Sequence, residues 1–173
     1  AMKAVIPENA ILSSDIGNNC AIGNAYPTFE EGRKYLAPGL FGPCGYGFPA
    51  ICGAKVAQPD VPVIGMAGDG AFGISMNEMV SCGRDSWPAI TMIVFRNYQW
   101  GAEKRNTTLW YSDNFVGTEL DLNVSYAKIA QACGIEGVQA TSMDDLATKL
   151  KEAIRAQMED GKTTFIEVLV NQE

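Results

Sequence analysis

The chain has no histidine in its 173 residues. That removes histidine-based nucleophile triads and imidazole zinc ligands from consideration. Of the five cysteines (Cys20, Cys44, Cys52, Cys82 and Cys133), no two form a C-x-x-C. Tetrahedral zinc is thereby excluded within the chain, and the odd, scattered set fits reduced thiols of a cytoplasmic protein. All but Cys44 are expected to act as small buried apolar residues. Basic residues are few, 13 Lys and Arg against 20 Asp and Glu, for a net charge of −7. No basic patch reverses that balance, which argues against a nucleic-acid partner. No apolar run approaches the roughly 20 residues of a membrane helix. The first ten residues lack a charged-then-apolar leader, which again points to a cytoplasmic protein.

What is present is 47% hydrophobic content, enough for one domain over residues 1–173 with a sizeable core. Strands are predicted at 10–14, 61–67, 90–95, 135–140 and 163–170. Between them lie helical patterns at 21–25, 50–56, 72–82, 123–133 and from 141 onward. Gly53 and Ala54 would let the second of these pack closely. The third carries an apolar stripe at Ile74, Met76, Met79 and Val80, and the last one at Leu146, Leu150, Ile154 and Met158. Residues 26–37 read as irregular and 98–122 as a long flap. Alternating strands and helices imply an α/β fold, a three-layer parallel sheet with helices on both faces. Ligands in such folds bind at the carboxyl ends of the strands. The turns at 15–19, 68–70 and 97–100 all fall there.

The central stretch runs from Val61 to Gly73, strand into glycine turn into helix. Gly68-Asp69-Gly70-Ala71-Phe72-Gly73 satisfies G-x-G-x-x-G, the dinucleotide fingerprint. Against that reading, Asp69 would repel a pyrophosphate, and the next strand ends in Arg96-Asn97 where the fingerprint wants an acid. A divalent cation removes the first objection. Mg²⁺ takes hard oxygen ligands, commonly one or two carboxylates plus phosphate and water. Asn97, at the end of the neighbouring strand, would supply a second oxygen. A nucleotide-binding Rossmann-like module remains the non-enzyme alternative.

Gly68-Asp69-Gly70 followed by Asn97 resembles the diphosphate-binding domain of thiamine diphosphate enzymes. That family usually carries two adjacent asparagines; here the first is Arg96. The resemblance implies Mg²⁺ ligands at Asp69, Asn97 and the Gln99 carbonyl, and diphosphate contacts from Gly68, Gly70 and Ala71 and from Asn18 and Asn19. Gly42-Pro-Cys-Gly45 looks like the segment that meets the aminopyrimidine in acetolactate-synthase-like members. It implies a Gly42 carbonyl acceptor and Cys44 as the side chain that holds the cofactor bent. Residues 99–110 and 114–119 resemble the branch that cleaves sulfoacetaldehyde with phosphate, giving acetyl phosphate and sulfite. A separate diphosphate-binding subunit of a sulfopyruvate or phosphonopyruvate decarboxylase is the other enzyme reading. The family's activating glutamate sits on a pyrimidine-binding domain, and neither Glu78 nor Glu103 matches it. The resemblance therefore implies no catalytic residue in this chain, which reads as a carboxyl-terminal fragment of a longer dimeric or tetrameric enzyme. Lys104 and Arg105 are candidates for binding the two anions.

Overall fold

Five strands form where the sequence predicts them: β1 (Ile11–Ser14), β3 (Val63–Gly68), β4 (Thr91–Arg96), β5 (Glu136–Ala140) and β6 (Thr164–Leu169). A sixth strand, β2 (Tyr35–Leu36), lies in the segment expected to be irregular. Two residues paired to one edge of β1 carry no periodic signal. The structure is a computed structural model that describes every residue except Ala1, Thr28, Glu30, Glu31, Arg33 and Glu173.

Within the sheet every strand pairs in parallel with its neighbours, in the order β2-β1-β3-β4-β6-β5. The inner strands are apolar along most of their length because both faces are covered. One face packs α3 (Gly47–Ala57), α4 (Asp69–Ser75), α5 (Met79–Cys82) and α7 (Tyr126–Ala132) around Phe48, Phe72, Met92 and Phe165. The Phe72 and Phe165 rings lie 5.4 and 5.3 Å from that of Phe48. The other face packs α1 (Met2–Val5) and α8 (Met143–Glu159) onto Ile64, Ile93 and Ile166 through residues such as Leu146, Leu150 and Ile154. Each fully buried Phe, Ile or Leu contributes about 1.5–3 kcal/mol. This is the three-layer α/β architecture expected. Among the described residues no helix is long and apolar enough to cross a membrane.

The helices depart from expectation in four places. α3 starts at Gly47, with Pro49 in its first turn, where a missing N–H costs no hydrogen bond. Gly53, expected to permit close packing, faces open space. The helix after β3 begins at Asp69, inside the glycine turn, and a 3₁₀ turn at Met76–Glu78 breaks it. That turn shifts the helical phase, so of the predicted stripe only Met79 is buried; Ile74, Met76 and Val80 are exposed. Within the predicted flap, α6 (Gly101–Tyr111) is a helix with no buried residue. A helix that buries nothing has no stripe to read.

After β1 the chain passes through α2 (Asn18–Ala25) to β2 on one side, then crosses to β3 on the other. The carboxyl ends of β1 and β3 therefore flank a topological switch point, the crevice where such sheets bind ligands.

Candidate functional site

β3 passes into α4 without a loop: Gly68 ends the strand and caps the helix, and Asp69 is its first residue. The Asp69 side chain is therefore at the floor of the crevice, and the residue is 2% exposed. Its Oδ1 accepts from the Gly70 N–H at 3.0 Å and its Oδ2 from the Tyr98 N–H at 2.7 Å. Burial pushes the carboxyl above its ordinary value; the two amides and the Arg96 charge oppose that without cancelling it. Tyr126 Oη donates to the Asp69 carbonyl at 3.0 Å. Burial, then the Asp69 charge, push that hydroxyl up to about 12.

β4 delivers Arg96 and then Asn97. Arg96 turns away from the crevice, bonding Glu167 at 2.9 Å and the Leu122 carbonyl at 2.6 Å and stacking on the Tyr98 ring. Burial pushes the Glu167 carboxyl up, but bonds from Gln139, Ser125 and the Ala127 amide, with the Arg96 charge, outweigh it and hold it below its usual range. This anchor starts the 98–122 segment. Tyr98 takes φ 62, an uncommon left-handed conformation for a bulky side chain. Residues 98–100 then pair with 118–120, the Trp100 N–H reaching the Thr118 carbonyl and the Leu120 N–H the Tyr98 carbonyl. Trp100 packs flat on Gly70, where an added Cβ would meet the indole at 2.8 Å.

One arm of the Asn97 amide lies 2.9 Å from the Gln99 carbonyl oxygen and 3.2 Å from Asp69 Oδ1. With nitrogen on that arm the amide donates to both; with oxygen there, three oxygens face one another. Octahedral Mg²⁺ with bonds of 2.0–2.1 Å sets neighbouring ligands about 2.9 Å apart. The three groups thus suit a hard divalent cation when the amide oxygen turns inward. Among the described residues no cluster of three His, Cys, Asp or Glu exists; this donor set is one carboxylate, one amide and one carbonyl.

The loops after β1 and before α3 complete the walls. Asn18, Asn19, Gly42, Cys44, Gly68, Asp69, Gly70, Ala71, Asn97 and Gln99 all line one cleft of about 580 Å³. Burial, then the charges of Asp15 and Glu103, push the Cys44 thiol up, so it presents a neutral wall rather than a nucleophile. A second hollow of about 550 Å³, beside Ile6, Leu12 and Phe29, is lined by none of those ten residues.

Lys104 and Arg105 do not line the cleft. Lys104 bonds Gln99 Oε1 at 3.0 Å and pairs with Glu119 at 2.5 Å, closing the flap on itself. The charged side chains lining the cleft, among the described residues, are Asp69 and Glu103. Cys20, Cys52 and Cys82 are buried as expected; Cys133, like Cys44, is half-buried. Sequence reasoning placed the 15–19 turn at the crevice but gave no role to Asp15, Tyr126 or the Arg96–Glu167 pair, whose bonds to Gly45, Asp69 and each other span 30 to 71 residues.

A family profile described as thiamine pyrophosphate enzyme, C-terminal TPP binding domain, matches residues 15–168. A probable sulfoacetaldehyde acetyltransferase of Rhizobium meliloti (strain 1021) is 69% identical over the whole chain, which covers 29% of that protein. A sulfoacetaldehyde acetyltransferase of Rhodobacter capsulatus is 70% identical with the same coverage. An acetolactate synthase large subunit of Haemophilus influenzae is 28% identical over 94% of the chain and 28% of its own length. The chain thus spans less than a third of the length of these curated relatives. Among solved structures, a thiamine diphosphate-dependent 4-hydroxybenzoylformate decarboxylase of Rhodococcus jostii RHA1 superposes with a TM-score of 0.83. That likeness covers 99% of this chain and 31% of the other, at 22% identity, and bears on the fold.

Proposed function

The chain belongs to the thiamine pyrophosphate enzyme family, as its C-terminal TPP-binding domain, and we propose that it holds Mg²⁺ and the cofactor's diphosphate in an acetyltransferase. The substrates of that enzyme are sulfoacetaldehyde and phosphate, its products acetyl phosphate and sulfite. The observation that carries the cofactor reading is the convergence of Asp69 Oδ1, the Asn97 amide and the Gln99 carbonyl at distances of 2.9 and 3.2 Å. The substrate reading rests on relatives near 70% identity that carry that enzyme's name.

Asp69, Asn97 and the Gln99 carbonyl would ligate the metal. The Asp69 carboxylate alone repels a bare diphosphate, so metal and cofactor bind together. The N–H groups of Gly70 and Ala71 lie in the first turn of α4, where helix polarity favours an anion; that of Gly70 would exchange its bond to Asp69 Oδ1 for one to the diphosphate. Asn18 and Asn19 face the same cleft and can donate their amides to it. Gly42 would offer its carbonyl to the aminopyrimidine, and Cys44 would form the apolar wall against which the cofactor bends. When bound, thiamine diphosphate supplies a carbanion that attacks a carbonyl carbon. Of the two carboxyl side chains lining the cleft, Asp69 is given to the metal and Glu103 does not match the family's activating glutamate. We therefore place the activating glutamate on a pyrimidine-binding domain, and read residues 1–173 as one domain of a longer cytoplasmic homo-oligomer. Relatives more than three times as long support the reading of these residues as part of a longer chain.

The experiment is an assay of the chain joined to a glutamate-bearing pyrimidine-binding domain, with cofactor and Mg²⁺. Sulfoacetaldehyde plus phosphate is expected to give acetyl phosphate and sulfite in equal amounts, and pyruvate is expected to be the poorer substrate. Acetolactate from pyruvate without acetyl phosphate formation would overturn the substrate assignment.

A further inference from the structure

Asp15 directly follows β1 and is wholly buried. Its own N–H extends the sheet ladder to the Met66 carbonyl at 2.8 Å. Its carboxylate takes no lysine or arginine among the described residues; it is held by three backbone N–H groups. Oδ1 accepts from Ile16 at 2.8 Å and from Gly45 at 3.0 Å, and Oδ2 accepts from Gly47 at 2.7 Å. Gly47 is the first residue of α3, whose own capping residue, Tyr46, offers no side-chain bond. The helix is thus capped from across the sheet, by a charge placed at its positive end. The contact is tight: a Cβ at Gly47 would sit 2.8 Å from the Asp15 nitrogen. Gly42 and Gly45 are both at positive φ, 66 and 85, which glycine adopts without strain, so the loop's own backbone does not select this shape and the Asp15 bonds do.

We propose that Asp15 is a positioning residue for the pyrimidine end of the cleft, holding residues 42–47 so that the Gly42 carbonyl and Cys44 face the cofactor. This rests on the cofactor reading above. The metal groups and the α4 amides, which follow β3 and β4, take no hydrogen bond from residues 42–47, and neither do Asn18 and Asn19 on α2. Asp15 therefore acts on one end of the ligand and not on the other.

The asymmetry gives the test. Mg²⁺–pyrophosphate probes the diphosphate end alone, and Mg²⁺–thiamine diphosphate probes both ends; calorimetry measures each. In Asp15→Asn the amide nitrogen must face at least one of the three N–H donors. A charge-assisted set is lost, so cofactor affinity should fall about tenfold or more while pyrophosphate affinity stays within about twofold. Gly47→Ala leaves the carboxylate in place but pushes the loop off it, and should give the same split. Equal losses for both ligands, or no loss for either, overturn the proposal. A chain that binds neither ligand before substitution overturns the cofactor reading instead. Hydrogen exchange needs no variant: the Gly45 and Gly47 amides should be protected like strand amides, and exchange at free-loop rates would also overturn it.

Discussion

Asp69 carries a carboxyl whose folded pKa lies above its ordinary value of 3.8, chiefly because it is buried. Between the unfolded and the folded value the native chain binds more protons than the unfolded one. Stability from this group is full below the unfolded value and is lost as pH rises through the folded one. In EDTA, the stability of the chain relative to Asp69→Asn should therefore decline as pH is raised from about 4 toward neutrality. Thermal melts of both proteins check this, and a difference that is flat with pH would contradict it. Asn97→Asp would set a second carboxylate about 3.2 Å from the first. The variant should melt lower without metal, by about 2–4 °C for each kcal/mol of repulsion. It should bind the cofactor more weakly yet keep some affinity for Mg²⁺ in calorimetric titration; wild-type behaviour in both would place the ligand elsewhere. Asp69 and Asn97 were legible in the sequence because each follows directly on an apolar strand run. Tyr126 and the Arg96–Glu167 pair were not, since they meet their partners 57 and 71 residues away. No local pattern encodes such contacts.

The inner strands and the longest amphipathic helix were the elements the sequence revealed most directly. β3, β4 and β6 are buried along almost every residue, and α8 shows a spaced apolar face. α6 was invisible for the opposite reason: it buries none of its residues, and Leu109, Trp110 and Tyr111 lie exposed. An isolated helix of this length is marginal in water. Its amides should therefore exchange at least about tenfold faster than those of α8 in the chain alone, and slow when a pyrimidine-binding domain is added. Protection of α6 equal to that of α8 in the isolated chain would show that the flap is already held.

For the whole molecule, the exposed apolar residues outline what the cleft lacks. Leu40 and Phe41 are 108% and 93% exposed, and Ile74 on α4 and Val80 on α5 are 56% and 66% exposed. An added Cβ on Gly45 would meet Ile74 at 2.9 Å, so this apolar surface adjoins the 42–45 loop. Such surfaces mark interaction sites, and the proposed occupant is the pyrimidine-binding domain. The chain alone should accordingly give no acetyl phosphate or sulfite from sulfoacetaldehyde and phosphate, even with cofactor and Mg²⁺; turnover at enzyme-like rates would remove the need for a second domain. The α/β class and the crevice were legible because strand–helix alternation dictates both. The domain's place in a larger enzyme entered through resemblance, not through any residue pattern. Whether Asp69 binds diphosphate through a metal is tested most directly by calorimetric titration with thiamine diphosphate, in Mg²⁺ and in EDTA, on the chain and on Asp69→Ala. Binding should occur for the unsubstituted chain in Mg²⁺ and vanish in the other three titrations, whereas equal affinity in EDTA would contradict the metal bridge at the centre of this site.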